Sequence, residues 1–119
     1  MNDLSTNFSR SEFACKCGCG LDTVDYMTLL VLEDVRSEMG KPIRITSGCR
    51  CEAHNLHVGG SKGSQHLTGR AADFTVAGVS AAEVQAYLKF RYPDLYGIGC
   101  YEDFTHVDTR SNAGVRWSN

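Results

Sequence analysis

The clearest hydrophobic pattern along the chain has helical spacing and runs from residue 23 to residue 39. Residues three and four positions apart share one face of a helix, so this pattern predicts an amphipathic helix that packs on a core. Thr23 is its expected N-cap, and Gly40 followed by Pro42 ends it. The predicted apolar face consists of Val24, Met27, Val31 and Val35, widened by Leu30 and Leu32.

Four shorter segments have the β-branched or alternating character of strands. Glu102 and Asp103 occupy a tight turn between the last two, which therefore pair as neighbours. The four predicted strands cover residues 43–46, 71–76, 96–101 and 105–109.

A second amphipathic helix and a long loop separate these strands. Ser80 opens the helix, Val84 and Leu88 lie on its apolar face, and it ends before Pro93. Residues 47–69 are mostly polar and glycine-rich, and they predict a long active-site loop with a helical turn within it. Helices grouped with a small, mainly antiparallel sheet predict an α+β fold.

Length and composition favour a single globular domain over residues 1–119, with 42% hydrophobic and 22% charged residues. The net charge of −2 gives no basic excess, so nucleic acid is not an expected partner. No window approaches the roughly 18 apolar residues of a membrane span, so no membrane partner is expected either. We expect a monomer. The first residues lack the charged and apolar regions of a secretory signal.

Six cysteines are many for a chain of this length. Cys15, Cys17 and Cys19 lie in one short motif, Cys51 closes a second, and Cys100 stands alone. An even count suggests disulfides in an oxidising compartment, whereas reduced thiols or a small structural metal site are the alternatives. The C-x-C spacing is tighter than the C-x2-C of common zinc sites, and the sequence leaves the three interpretations open.

His66, Asp73 and His106 are candidate ligands of one catalytic zinc ion. Asp73 lies inside an apolar strand, where a carboxylate is costly unless it meets a cation or a metal. Gly69 and the small residues after it allow the backbone to turn back, so His66 and Asp73 can converge. Two histidines and one carboxylate suit a zinc ion that keeps an open position for water.

A hydrolytic zinc site also needs a base and benefits from a cation. Asp103 precedes His106 by three residues at a turn, where a carboxylate can approach the attacking water, and Glu102 is its rival. Arg50 precedes the long loop and can steady an oxyanion or bind a substrate carboxylate.

Simpler interpretations of the same residues stay open at this point. An isolated histidine is usually structural, a strand aspartate is usually solvated or paired, and Arg50 alone favours a surface salt bridge. His54 and His57, both in the glycine-rich loop, are alternative metal ligands.

Short motifs along the chain, from about residue 13 to residue 108, carry a resemblance to a known family. They are Ser47-Gly48-Cys49-Arg50, Asn55, Gly59-Gly60-Ser61, Ser64-x-His66-x-x-Gly69-x-Ala71-x-Asp73 and Asp103-x-x-His106-x-Asp108. In order and spacing they resemble the M15 zinc peptidases, in the D-alanyl-D-alanine carboxypeptidase-like branch that includes phage endolysin endopeptidases. Many members of that family have an aromatic residue at the position of Cys49.

The resemblance implies a fold, a site and a substrate. The fold is a small antiparallel sheet packed by helices, shared with the Hedgehog signalling domain. The implied zinc ligands are His66, Asp73 and His106, with Asp103 as the catalytic base and Arg50 holding substrate or oxyanion. The implied substrate is the stem peptide of bacterial peptidoglycan.

Two further residues receive roles beside these. Ser64, in the first histidine motif, is assigned to substrate binding by the resemblance. Asp108 follows His106 by two residues, so both share one face of a strand and Asp108 can orient the ligand histidine. The alternative for Asp108 is a surface pair with Arg110 or Arg116.

The bond that is cut and the place of action are expectations from the family. Members cut D-Ala-D-Ala termini, L-Ala-D-Glu bonds or cross-bridges, and the sequence does not select among them. The missing signal and the missing wall-binding module favour a phage or prophage lysin, made in the host cytoplasm and then released to the wall. A periplasmic or extracellular enzyme is the alternative.

Two other classes of function compete with the peptidase. One is a zinc-containing cell-wall-binding module without catalysis, against which the acid at Asp103 argues. The other is a cysteine hydrolase that pairs Cys49 or Cys51 with His54 or His57, for which the sequence offers no clear orienting residue.

Overall fold

The computed structural model describes residues 2–118, with residues 112 and 113 described by their backbone alone. Within this range the helices are α1 (Tyr26–Met39), α2 (Glu52–His57) and α3 (Ala81–Arg91). The strands are β1 (Ile43–Ser47), β2 (Ala71–Val76), β3 (Leu95–Cys100), β4 (Thr105–Ala113) and β5 (Val115–Ser118). Two short 3₁₀ helices cover Arg10–Phe13 and Gln65–Thr68. None of the helices described here is long and apolar enough to cross a membrane.

The five described strands form one sheet in the order β1-β2-β4-β3-β5. The pairs β1–β2, β2–β4 and β3–β4 are antiparallel, whereas β3 and β5 are parallel. The predicted α+β class is therefore confirmed. The sheet is mixed rather than purely antiparallel, because the last strand returns to the far side of β3.

Helix α1 begins later than its sequence pattern predicted. Its N-cap is Asp25, whose carboxylate accepts hydrogen bonds from the backbone N–H groups of Met27 at 3.1 Å and Thr28 at 3.4 Å. The prediction of Thr23 as the cap was wrong. The backbone N–H of Asp25 donates to the carbonyl of Gly69 at 2.9 Å, which ties the start of the helix to the end of the long loop.

The buried face of α1 also differs from the prediction. Leu29, Leu32 and Val35 enter the core, whereas Met27 and Leu30 are exposed. Apolar residues lie on more than one side of this helix, so spacing alone cannot select the face that meets the sheet. The C-terminal end agrees with the prediction, because Gly40 adopts the left-handed conformation with a φ of 67°.

The C-terminal part of the sheet extends beyond the predicted strands. Strand β4 continues to Ala113 rather than ending at residue 109, and β5 was not predicted. Polar residues dominate this segment, so it lacks the apolar alternation that marks a half-buried strand. Its strand conformation comes from pairing with β3, which a local pattern does not reveal.

The two faces of the central strands have different surroundings. On β2, Ala72 and Phe74 belong to the hydrophobic core, and on β4 Val107 does the same. Alternation of side chains along a strand then sends Asp73 and His106 to the opposite face. That face, turned away from the main core, forms a cleft that carries the candidate site.

Candidate metal centre

Asp73 and His106 face each other across two neighbouring strands. They are direct partners in the antiparallel register of β2 and β4. Nδ1 of His106 lies 2.8 Å from Oδ1 of Asp73, and both residues are only 8% exposed. The sheet thus brings together two side chains that are 33 residues apart in sequence.

His66 reaches the same place from the 3₁₀ helix that precedes β2. The hydroxyl of Ser64 caps this turn by accepting from the backbone N–H of His66 at 3.2 Å. Gly69 ends the turn with a φ of +72°, and a side chain there would collide with the backbone of Thr23. The chain therefore reverses within a few residues, and Nε2 of His66 lies 3.3 Å from Oδ1 of Asp73.

The donor atoms of His66, Asp73 and His106 all lie within 4.8 Å of one another. Nδ1 of His66 lies 2.6 Å from the carbonyl of Gly48, which can only accept, so Nδ1 is the donor and Nε2 is the nitrogen that faces the other candidate ligands. Two imidazole nitrogens and one carboxylate oxygen at this spacing are a donor set that zinc takes. The residues present therefore fit a zinc ion.

The second nitrogen of His106 is held by another carboxylate. Nε2 lies 2.8 Å from Oδ2 of Asp108, which has no exposed surface. Burial lowers the pKa of His106, but hydrogen bonds to Asp108 and Asp73 outweigh it and raise the pKa above its usual value. A proton and a metal ion would compete for Nδ1, and Asp108 holds the ring in place for either.

The two buried carboxylates are both held in the ionised form. Burial raises the pKa of Asp73, yet its hydrogen bonds with His106 and His66 hold that pKa well below the usual range. Burial also raises the pKa of Asp108, but its hydrogen bonds with Arg110 and His106 outweigh burial and lower that pKa strongly. The ionised carboxylate of Asp73 favours a cation beside it, and that of Asp108 favours positive charge on the His106 ring.

Arg50 lies in the cleft rather than on the outer surface. Its Nη2 is 3.5 Å from Oδ2 of Asp73, and its side chain is 15% exposed. Nε donates to the hydroxyl of Ser47 at 3.2 Å, and Nη1 donates to Oδ1 of Asn55 at 3.2 Å. Three partners on different elements hold the guanidinium at the edge of the metal centre.

Arg110 and Trp117 extend the site beyond the predicted residues. Arg110 donates two hydrogen bonds of 2.7 Å to the carboxylate of Asp108. Asp108 therefore pairs both with His106 and with an arginine, the two alternative partners that the sequence offered. The ring of Trp117, from β5, lies 5.0 Å from that of His106. From the sequence, Arg110 was only an alternative surface partner of Asp108, whereas its pairing with a buried Asp108 places it at the site. Trp117 belongs to the strand that was not predicted.

The cleft around these residues has a volume of about 510 Å³. Its lining includes three aromatic side chains, Tyr101, Phe104 and Trp117, and also Gly59, Gly60, Ser61 and Gly63 of the glycine-rich loop. Ser64 also lines the cleft, although its hydroxyl caps the turn before His66. The cleft is open and polar at its base, where the metal donors lie.

Asp103 and Glu102 do not line this cleft. Both are exposed in the turn between β3 and β4, and Asp103 borders a small separate groove beside Phe74 and Val84. The structure thus brings six predicted residues of the site together, Arg50, Ser64, His66, Asp73, His106 and Asp108, but leaves the predicted base at its margin.

The alternative ligands and nucleophiles lie elsewhere. His54 and His57 belong to α2, and neither joins a group of potential metal ligands among the described residues. Cys49 is buried, with 2% of its surface exposed. The sulfur of Cys51 lies beside two other cysteines and accepts from the backbone N–H of His54, not from its ring. This arrangement lacks the cysteine–imidazole pair of a cysteine hydrolase.

Comparison with known proteins identifies the family of the chain. The family described as Peptidase M15 matches residues 6–108, so the chain belongs to this peptidase family. The zinc D-Ala-D-Ala carboxypeptidase of Streptomyces albus G is 34% identical over 85 residues, covering 68% of this chain and 33% of that protein. The chain spans about a third of the length of this curated relative. Arg110 and Trp117 lie beyond the range that the family matches.

Proposed function

We propose that the protein is a zinc peptidase that hydrolyses a peptide bond in the stem peptide of bacterial peptidoglycan. The observation that carries the proposal is the convergence of His66, Asp73 and His106 at the base of an open cleft. Membership of the M15 peptidase family supports the reaction class, and the name of the Streptomyces relative supports zinc and a cell-wall substrate.

Each residue at the base of the cleft would contribute to holding the metal. Nε2 of His66, Oδ1 of Asp73 and Nδ1 of His106 would be the ligands, and Asp108 would keep the His106 ring oriented. Zinc bound there would supply a Lewis acid for the scissile carbonyl and a water of lowered pKa.

Arg50 would provide positive charge beside the reacting carbonyl. Its guanidinium is partly buried and is held by Ser47, Asn55 and Asp73, so it is already oriented before substrate binds. A fixed, partly buried cation stabilises negative charge more strongly than a mobile, fully solvated one. Arg50 would therefore bind the oxyanion or a carboxylate of the stem peptide.

The proton of the attacking water requires a base. The two carboxylates that line the cleft, Asp73 and Asp108, are already engaged by histidines and arginines. The role therefore falls to the turn before β4, where Asp103 has the position that the family pattern implies. Asp103 would accept the proton and pass it to the leaving amine once its side chain turns toward the cleft.

A digestion of purified sacculi tests this function. Zinc-loaded protein should release new amino groups, and mass spectrometry of the fragments should show cleavage of one stem-peptide bond. The released fragments distinguish an endolysin-type endopeptidase from a carboxypeptidase that removes a terminal D-alanine. Zinc-loaded protein that releases no new amines would overturn the proposal.

A zinc-containing wall-binding module without catalysis is the second candidate. The exposed position of Asp103 outside the cleft is the observation that favours it. Tight binding of soluble muropeptides without turnover, unchanged when Asp103 is replaced by asparagine, would support this second function over the first.

A further inference from the structure

A second group of potential ligands lies away from the cleft. The sulfurs of Cys15, Cys17, Cys19 and Cys51 all lie within 4.8 Å of one another. Three of the separations are 3.5 Å between Cys15 and Cys17, 3.8 Å between Cys15 and Cys51, and 3.6 Å between Cys17 and Cys51. This group is called the cysteine cluster below.

The sulfur separations distinguish a metal site from a disulfide. Four thiolates at about 2.3 Å from one tetrahedral zinc ion lie about 3.8 Å from each other. A disulfide needs about 2.0 Å between its sulfurs. All six cysteines are free thiols in the structure. The sulfur separations in the cysteine cluster match the spacing expected around a single ion and are too long for a disulfide.

The backbone around Cys15 explains how closely spaced cysteines converge. The N–H of Cys15 donates to the carbonyl of Leu21 at 2.7 Å, and the N–H of Gly18 donates to the carbonyl of Cys15 at 3.2 Å. Gly18 and Gly20 have φ values of +84° and +92°, which favour glycine. The segment folds back on itself, and its cysteines meet Cys51 from one side.

Backbone amides support two of the sulfurs. The N–H of Cys51 donates to the sulfur of Cys15 at 3.4 Å, and the N–H of His54 donates to the sulfur of Cys51 at 3.4 Å. Outer hydrogen bonds of this kind orient the ligands of metal sites and favour the thiolate form.

We propose that Cys15, Cys17, Cys19 and Cys51 bind a structural zinc ion, separate from the peptidase centre. All four positions of a tetrahedral ion are filled by protein sulfur, so the site has no open position for water or substrate. Its role is therefore structural. The two remaining cysteines, Cys49 and Cys100, lie outside the cluster.

The position of the cluster suggests what the ion stabilises. Cys51 directly follows Arg50, and the N–H of Cys49 donates to the carbonyl of Phe13 at 2.8 Å. Gly48 packs so closely on Phe13 that a side chain at position 48 would lie 2.6 Å from its Cα. Gly48 and Arg50 contact His66 and Asp73, so an ion in the cysteine cluster would hold one wall of the cleft against the N-terminal segment.

Elemental mass spectrometry of the reduced protein gives the number of zinc ions per chain, and this number tests the proposal. We expect about two zinc ions per chain in the wild type and in the Cys100→Ser control. The Cys17→Ser/Cys19→Ser variant should retain about one ion, and so should His66→Ala/His106→Ala. This count does not depend on peptidase activity, so an inactive protein with two zinc ions would refute the proposed function alone.

Cobalt substitution assigns the second ion to sulfur. The intense near-ultraviolet absorption of thiolate–cobalt bonds should persist in His66→Ala/His106→Ala and disappear in Cys17→Ser/Cys19→Ser. If the double cysteine variant fails to fold, Cys19→Ser, which alters one exposed ligand, should show weakened absorption beside the Cys100→Ser control.

Three results would overturn the structural zinc site. The first is a reduced His66→Ala/His106→Ala variant that holds no zinc, because the cysteine cluster alone should retain about one ion. The second is iron in place of zinc at the cluster. The third comes from a thiol titration of unreduced protein in denaturant with a chelator. Detection of Cys49 and Cys100 alone, rather than of all six thiols, would show that the four cluster cysteines form disulfides.

Discussion

Nε2 of His106 lies 2.8 Å from Oδ2 of Asp108, a carboxylate with no exposed surface. The other nitrogen of the same ring points at Asp73, and the other side of Asp108 is held by Arg110. These four residues form a continuous chain of hydrogen bonds, in which Asp73, His106 and Asp108 are buried and Arg110 is partly exposed. The ring of His106 is thereby oriented from behind, which is how a histidine ligand is usually held in a metal site.

Replacement of Asp108 by asparagine should weaken zinc binding at the peptidase centre. His106 would lose its carboxylate partner, so the zinc concentration that restores half of the activity to metal-free protein should rise about 10- to 100-fold. Asp94→Asn, at an exposed aspartate, is the matched control. An equal zinc requirement in both variants would show that Asp108 does not orient the ligand.

Replacement of Asp103 by asparagine should separate catalysis from metal binding. We expect kcat on sacculi to fall by at least about 100-fold, because the base is lost while zinc content stays at the wild-type level. Glu102→Gln, at the neighbouring exposed acid, should retain most of its activity. A larger loss in Glu102→Gln would assign the base to Glu102 instead.

Arg50→Lys should reduce activity without removing zinc. A lysine can replace one of the contacts to Ser47, Asn55 and Asp73 but not all three, because it lacks the planar fork of a guanidinium. We expect kcat/KM on sacculi to fall about 10- to 100-fold. The control is Arg44→Lys, on an exposed position of β1, which should behave as wild type.

Gly97→Ala tests how closely the sheet packs on Asp108. A Cβ at this position would lie 2.5 Å from Oδ2 of Asp108, so the carboxylate or the strand must move. The free energy of unfolding should fall by about 1–3 kcal/mol, measured by denaturant titration. Gly63→Ala, where a Cβ meets nothing within 4 Å, should be close to neutral. Equal stability of the two variants would contradict this packing.

Glu33 should make stability depend on pH. It accepts hydrogen bonds from Ser5 and Asn7, at 2.5 Å from the Ser5 hydroxyl and 2.9 Å from the Asn7 backbone N–H. Burial raises the pKa of Glu33, but these hydrogen bonds lower it by a larger amount. The folded-state pKa therefore lies below the unfolded value of 4.5. The stabilisation is therefore present above about pH 4.5 and is lost as the pH falls through the folded pKa.

The Glu33→Gln variant measures this contribution. We expect its free energy of unfolding to be about 1–2 kcal/mol below wild type at pH 7. The difference should shrink as the pH falls below about 4.5. Glu38→Gln, on an exposed position of the same helix, should show neither effect. A difference that stays constant or grows with falling pH would refute this role for Glu33.

Some features of the fold and site depend on residues close together in sequence, and local sequence signals predicted these. Gly40 ends α1 because it can adopt a positive φ, and Ser80 caps α3 by accepting from the N–H of Glu83. Asp73 was a candidate ligand because a carboxylate in an apolar strand needs a cation. These inferences rest on short-range chemistry, which the sequence displays directly.

Features that depend on distant pairing could not be predicted in this way. Strand β5, which carries Trp117, owes its conformation to β3. The buried face of α1 is selected by the sheet, so Leu29 rather than Leu30 enters the core. Asp103 was expected at the metal centre from its spacing to His106, but the turn geometry leaves it exposed.

The most direct test of the account is a zinc titration of metal-free protein during digestion of sacculi, with new amino groups as the readout. The account predicts that wild-type activity rises with added zinc and saturates, whereas His106→Ala remains inactive at every zinc concentration. Full activity of the metal-free protein, or equal activity of His106→Ala, would contradict a catalytic zinc held by His66, Asp73 and His106.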